Sequence, residues 1–95
     1  MTQTSFHPGE HLQQELDELG LSAEALAERL RVQPETVVAV LAGRESVTAE
    51  FAMRLGHFFG TSAQFWLNLQ SSFDLEVAER FHGAEIGELP RLQAA

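Results

Sequence analysis

The sequence predicts an all-α domain built from five helices, and three observations carry this prediction. Apolar residues recur three or four positions apart along most of the 95-residue chain, which is the spacing of one helix face. No segment shows the strict alternation of apolar and polar residues that marks a half-buried strand. Proline, serine, threonine and glycine fall where the apolar runs begin and stop, as they do at helix ends. A chain of this length has room for one small core.

Two helices are predicted in the first third of the chain. Pro8 suits a first helical turn, where Glu10 faces the positive end of the helix dipole, and Gly20 stops the helix. The apolar stripe of this helix consists of Leu12, Leu16 and Leu19. Ser22 is a suitable N-cap for the second helix. The stripe of the second helix consists of Ala23, Leu26, Ala27 and Leu30.

Three more helices follow after short links. Pro34 opens the third helix, which ends at Gly43. Thr48 caps the fourth helix, and Ser62 caps the fifth and longest, which is expected to end at Gly83. The inward-facing residues are Val37, Val40 and Leu41 in the third helix, Phe51, Ala52, Leu55 and Phe59 in the fourth, and Phe65, Trp66, Leu69, Phe73, Val77 and Phe81 in the fifth.

The helical spacing is lost near the C-terminus, so the chain divides into one domain and a tail. Residues 1–83 are expected to form the domain, and residues 84–95 a tail that is extended or disordered. Most aromatic residues lie in the fourth and fifth helices, which are therefore expected to form the heavier half of the core. The fifth helix is apolar on more than one face, so part of it is expected to pack against a second copy of the chain.

The charge balance is unusual for a small helical protein that binds nucleic acid. The chain has 14 acidic and 6 basic residues, for a net charge of −8, whereas phosphate contacts favour a basic surface. Residues 29–57 are the exception, because this segment contains four arginines and only three glutamates. Only this middle third can approach a phosphate backbone without strong repulsion. The acidic remainder is expected to be a solvated surface or a docking surface for a basic protein.

Several classes of protein are excluded or disfavoured by composition. The chain has no cysteine, which excludes disulfides, thiolate chemistry and cysteine-rich zinc sites. No run approaches the ~20 apolar residues that span a membrane. Residues 1–8 lack the charged and apolar regions of a signal peptide, so a cytoplasmic protein is expected.

The second and third helices, joined by Arg31-Val32-Gln33, have the sequence features of a helix-turn-helix at about residues 22–43. Ala27 is small enough to let two helices cross closely, and Val32 provides a buried anchor in the turn. The usual turn glycine is replaced by Arg31, which either adopts a left-handed conformation at a cost of roughly 1 kcal/mol or sits in a slightly different turn. The alternative is that any short helix pair shows alanine and valine at these spacings.

Motifs spread over residues 6–80 resemble one known family, the HigA/VapI-type antitoxins. The motifs are His7-Pro8-Gly9-Glu10, Leu16 through Leu21-Ser22, Gly43-Arg44-Glu45-Ser46-Val47-Thr48-Ala49, Arg54-Leu55, Phe59-Gly60-Thr61-Ser62, Phe65-Trp66-Leu67-Asn68-Leu69-Gln70 and Asp74-Leu75. The resemblance implies a lambda-repressor-like helix-turn-helix domain within residues 1–83 and a homodimer. It also implies that the protein represses its own toxin–antitoxin operon and neutralises a RelE/HigB-like mRNA-cleaving toxin.

A recognition helix that begins at Pro34 predicts which side chains meet DNA. The residues expected to face the bases are Gln33, Glu35, Thr36 and Ala39. Those expected to face phosphates are Ser22, Arg44 and Ser46. Family members often carry serine and then arginine or lysine at the positions of Val38 and Ala39, so two polar contacts are missing here. The alternative is a protein-interaction module of the same fold that has lost most specific DNA binding.

An enzymatic function is not expected. His7-Pro8-Gly9-Glu10-His11 fits the H-x-x-E-H pattern of some zinc peptidases, but Pro8 and Gly9 place His7 at or before the helix start. A third ligand would have to be His57 or His82. The serines have no base arranged beside them in the sequence. We therefore expect no catalytic residue, no metal and no cofactor, and we expect operator DNA, a basic toxin and a second copy as partners.

Overall fold

The computed structural model describes residues 6–92, and this part of the chain consists of five helices without a strand. The helices are α1 (Pro8–Leu19), α2 (Ala23–Leu30), α3 (Pro34–Leu41), α4 (Ala49–Phe59) and α5 (Ala63–Gly87). The predicted all-α, five-helix architecture is confirmed.

The predicted helix starts are confirmed by the capping hydrogen bonds. The side-chain oxygens of Ser22, Thr48 and Ser62 accept hydrogen bonds from backbone N–H groups three residues on, at 3.0, 3.2 and 3.0 Å. The start of α1 has a cap that the sequence analysis did not predict, because Nδ1 of His7 accepts the N–H of Gly9 at 2.9 Å. Serine, threonine and histidine therefore satisfy amides that the first turns leave without intrahelical partners.

The core lies mainly between α1, α2, α3 and α4, and α5 contributes one large buried apolar side chain, Trp66. The indole N–H of Trp66 donates to Oγ1 of Thr61 at 3.0 Å, so its polar atom is satisfied. The buried core consists of Leu12, Leu16, Leu26, Ala27, Leu30, Val37, Val40, Val47, Phe51, Ala52, Leu55 and Trp66. Four further side chains of α5 are partly buried against this core, namely Ala63, Phe65, Leu67 and Leu69, so α5 joins it mainly through half-buried residues.

Leu19 was predicted to continue the inward stripe of α1, and this prediction is wrong because 55% of its surface is exposed. It occupies the last position of α1, and the chain reverses at Gly20, whose φ of 69° ends the helix in the left-handed conformation. The stripe is buried only where α3 and α5 lie against α1.

The fifth helix is longer than predicted, because it continues through Gly83 to Gly87. Residues 84–87 are thus helical, and the prediction of an extended or disordered tail from residue 84 is wrong for them. A glycine inside a helix costs about 1 kcal/mol, which the helix-forming residues on either side of Gly83 offset. The chain leaves the helix at Glu88, and residues 93–95 of the predicted tail lie outside the described range.

The second half of α5 projects beyond the rest of the molecule. The helix has 25 residues, which makes it about 37 Å long, and the molecule measures 55 × 25 × 24 Å. The radius of gyration of the molecule is 16.5 Å, whereas a compact chain of this length has a radius of gyration of about 12 Å. Leu75 and Phe81 are 68% and 69% exposed on this projecting segment, so the prediction that Phe81 faces inward is wrong. The projecting half of α5 therefore carries large apolar side chains that its own subunit does not cover.

The backbones of α1 and α3 meet at Gly9, which is buried. A β-carbon on Gly9 would overlap the carbonyl group of Val40 and press on the Cα of Leu41. Glycine is therefore required at this position so that α1 can lie directly on the backbone of α3.

We expect Gly9→Ala to lower the free energy of unfolding by about 2–3 kcal/mol, because the added methyl group forces two packed helices apart. Urea unfolding followed by circular dichroism at fixed protein concentration measures the loss. Gly87→Ala is the matched control, since a β-carbon there meets nothing within 4 Å. A Gly9→Ala variant as stable as the wild type would contradict this account of the α1–α3 contact.

Candidate nucleic-acid interface

The α2–α3 pair forms the helix-turn-helix that the sequence predicts. Ala27, Val37 and Val40 are buried where the two helices cross. Val32 is half-buried in the link, and its N–H donates to the carbonyl of Ala27 at 3.0 Å. The predicted small residue, inner valines and turn anchor thus come together in one motif.

Arg31 has the left-handed conformation expected at the usual glycine position. Its φ is 59° and its ψ is 48°, and within residues 6–92 it is the one non-glycine residue with a positive φ. Its N–H donates to the carbonyl of Glu28 at 3.3 Å, which closes the end of α2. The turn therefore keeps the geometry of a helix-turn-helix at a cost of about 1 kcal/mol in backbone strain.

The outer face of α3 exposes most of the side chains predicted to face the bases. Gln33 and Glu35 are exposed and Thr36 is half-buried. Gln33 is the N-cap residue of α3, but its amide makes no capping hydrogen bond and is free to bind elsewhere. These residues lie along the first turn of α3, which is the part of a recognition helix that enters the major groove.

The prediction that Ala39 faces outward is wrong, because only 6% of its surface is exposed. The link between α3 and α4 folds back over this position. The backbone N–H groups of Arg44 and Glu45 both donate to the carbonyl of Ala39, at 2.9 and 3.3 Å. Val38, its neighbour, is 41% exposed and occupies the outer face instead.

The three residues predicted to face phosphates lie at the two ends of the motif. Ser22 is exposed at the start of α2, where the helix dipole favours an anion. Arg44 and Ser46 are exposed in the α3–α4 link. All three side chains are therefore exposed to solvent at the ends of the motif.

Gln70 fixes the α3–α4 link to α5, and the sequence analysis did not single it out as a site residue. The side chain is 5% exposed, and its Oε1 accepts the N–H of Val47 at 2.8 Å. Its Nε2 donates to Oδ1 of Asp74 at 2.9 Å, so both ends of the amide are satisfied. Gln70 positions the segment that carries Arg44 and Ser46. Its signal in the sequence is its place at the end of the motif Phe65-Trp66-Leu67-Asn68-Leu69-Gln70, which does not indicate its hydrogen bond to Val47.

Arg54, one of the four arginines of the middle third, is used inside the fold. One of its guanidinium nitrogens donates to the carbonyl of Leu30 at 2.8 Å and the other to Glu50 at 2.8 Å. It therefore holds the C-terminal end of α2 to α4 and is not a free phosphate contact. This lowers the number of arginines available for DNA.

Both histidines of the H-x-x-E-H pattern pack against aromatic side chains. The ring of His7 caps α1 and lies edge-on to Phe73, with the ring centres 5.1 Å apart. His11 lies 5.4 Å from the rings of Phe65 and Trp66. Within residues 6–92, no three histidine, aspartate or glutamate side chains form a group that could hold a metal ion. Nor is any helix in that range long and apolar enough to cross a membrane.

Comparison with known proteins agrees with this geometry. A family model described as helix-turn-helix matches residues 12–66, which is more than half of the chain. The chain belongs to the helix-turn-helix family that includes the HigA antitoxins. The resemblance drawn from the sequence motifs is therefore confirmed. This family consists of DNA-binding regulators that are not enzymes.

Three relatives illustrate the likeness. Virulence-associated protein I of Dichelobacter nodosus is 44% identical over 80% of this chain and 71% of its own length. The antitoxin HigA of Pseudomonas aeruginosa, solved with the higBA promoter, is 42% identical with a TM-score of 0.88, over 93% of this chain and 98% of its own. The antitoxin GraA, solved with its operator, is 45% identical with a TM-score of 0.88 over 99% of both chains.

Proposed function

We propose that this protein is an antitoxin that binds its own operator as a homodimer, represses its operon and neutralises a RelE/HigB-like mRNA-cleaving toxin. The observation that carries the DNA-binding part is the exposed outer face of α3 on a helix whose inner valines, Val37 and Val40, are buried. The likeness to HigA and GraA, which were solved with promoter and operator DNA, supports the same function.

Each exposed residue of the motif has a chemical partner in the major groove or on the backbone. The amide of Gln33 can pair with adenine, and the carboxylate of Glu35 can accept from the amino group of cytosine. Thr36 can meet a thymine methyl group. On the backbone side, Ser22, Arg44 and Ser46 are the proposed phosphate contacts.

The projecting half of α5 is the proposed dimer contact. Its exposed leucine and phenylalanine would be shielded from water by the same segment of a second copy. A two-fold dimer presents two α3 helices to DNA. The operator is therefore expected to be a palindrome whose half-sites are about one turn, ~34 Å, apart. Because the operator lies on the bacterial chromosome or a plasmid, we propose a cytoplasmic location.

A second candidate is a protein-interaction module of the same fold that has lost most specific DNA binding. It is favoured by the net charge of −8 and by the absence of a basic side chain from the outer face of α3. The apolar side chain of Val38 on this outer face acts in the same direction. DNA binding and toxin binding are therefore tested separately.

We expect the wild type to shift a duplex from its own promoter in low salt, and Arg44→Ala to weaken this binding. Because the dimer loses one phosphate contact per subunit, the magnitude of the slope of log K against log salt concentration should fall by about 2. Fluorescence anisotropy at several salt concentrations measures both. Arg91→Ala is the matched control, since Arg91 is exposed beyond α5. No binding by micromolar wild-type dimer would leave only the interaction-module candidate.

We expect Phe81→Glu to convert a dimer into a monomer, because it places a charge in the proposed apolar contact of α5. Sedimentation equilibrium at micromolar concentrations measures the mass directly. Ser71→Glu serves as control, since this exposed residue lies on the same helix before the projecting segment. A wild type that sediments as a monomer, or a dimeric Phe81→Glu variant, would show that this surface does not hold two copies together.

We expect the tagged protein to co-purify with the basic product of the adjacent reading frame. If the acidic face of α1 is the docking surface, Asp17→Lys with Glu18→Lys should weaken the complex, since both residues are exposed. Glu85→Lys with Glu88→Lys makes the same change in charge at the end of α5 and is the control. Failure of the wild type to co-elute would remove the toxin from the proposed function.

A further inference from the structure

Val38 is an exposed apolar side chain at the centre of a surface proposed to bind DNA. It is 41% exposed, and it is the one large apolar residue of α3 that the fold leaves exposed. The same helix buries Val37 and Val40 completely. The exposed part of this side chain is not used by the core and is available to an apolar group of a ligand that lies against α3.

The surroundings of Val38 form a shallow, partly apolar depression. Pro34, Glu35, Ala39, Arg44 and Glu45 line it together with Val38. Val38 is one helical turn from Pro34, so the two apolar side chains lie on the same face. The depression opens on the outer side of α3, next to the exposed link that carries Arg44.

The chemistry of the major groove selects one ligand for such a surface. Thymine alone among the four ordinary bases presents a methyl group there, whereas the edges of the other three present only hydrogen-bonding groups or C–H. Valine has no hydrogen-bonding atom in its side chain. Placed against a guanine or adenine edge, it would leave donors or acceptors without partners, which opposes binding. Placed against thymine, it buries two apolar surfaces.

The stiffness of valine favours the same contact. A β-branched side chain in a helix holds one strongly preferred rotamer, so its two methyl groups are fixed before DNA arrives. Little side-chain entropy is then lost on binding. Val38 stands at a position where family members often carry a polar residue, and its fixed methyl groups suit an apolar contact.

We propose that Val38 contacts the C5-methyl group of a thymine at one fixed position in each operator half-site. This inference rests on the proposed DNA-binding function and specifies one base that the protein selects. It makes Val38 a specificity-determining residue in place of the buried Ala39. Loss of the methyl contact is expected to weaken binding about fourfold per half-site, and about 15-fold when both half-sites lose it.

The test replaces thymines by deoxyuridine, which lacks only the methyl group. The probe is the shortest duplex of the chain's own promoter that the wild type protects in a footprint. Symmetry-related thymine pairs are exchanged one pair at a time, and the Kd is measured by fluorescence anisotropy. We expect one pair to raise the Kd about 15-fold through Val38, and every other pair, except one contacted by Thr36, to change it less than threefold.

Val38→Ala then assigns the contact to this side chain. The variant should bind the thymine duplex about as weakly as the wild type binds the sensitive deoxyuridine duplex. It should lose no further affinity on that duplex, because the two changes remove the same contact. Met53→Ala is the matched control, since Met53 is an exposed apolar residue of α4. It should keep full affinity and full sensitivity to deoxyuridine.

The outcomes separate this inference from the proposed function. Wild-type binding that no deoxyuridine pair weakens, or a Val38→Ala variant that keeps the wild-type sensitivity, would overturn the thymine contact while leaving DNA binding intact. Absence of binding to any promoter duplex would overturn both. Because Val38 is exposed, Val38→Ala is expected to unfold at the wild-type urea concentration, and this measurement confirms that the variant is folded.

Discussion

The structure depends on the packing of the inner face of α3 against its neighbours. An isolated helix of eight residues is not stable in water, so α3 exists because Val37 and Val40 are buried against α2 and α1. Gly9 lets the backbone of α1 lie directly on that of α3. These contacts fix the orientation of α3, and with it the direction in which Gln33, Glu35 and Val38 point. The exposed outer face is thus a consequence of how the inner face is packed.

Charge limits how such a surface can bind DNA. The protein has six arginines and no lysine, and Arg54 is committed to the end of α2 and to Glu50. Phosphate contacts per subunit are therefore few, which makes the second subunit and the contacts to base edges more important for affinity. An apolar contact from α3 fits this situation, because it adds selectivity without a further positive charge. The projecting half of α5 is the surface that we propose for dimerisation.

The helix ends were predictable because their chemistry is local. Ser22, Thr48 and Ser62 cap helices by accepting hydrogen bonds from amides three residues away. The left-handed conformation of Arg31 was predictable because this residue stands where a helix-turn-helix usually has glycine. Ala39 was mispredicted because the link that covers it bonds back to its carbonyl. The role of Gln70 was missed for the same reason, since its partner Val47 lies 23 residues away. The sequence predicts that α5 ends at Gly83, but one glycine costs too little to end a long helix.

The sequence by itself determined the helical class, the order and starts of the helices, the helix-turn-helix and the family, because these depend on residues within one or two turns of each other. Tertiary structure decided which outer residues of α3 remain exposed, which arginines remain free, and how far α5 extends beyond the core. Those properties arise from contacts between segments distant in the chain. The periodicity of the sequence identifies the apolar face of a helix. Which positions on the opposite face are buried depends on the segments that pack against the helix in the folded protein.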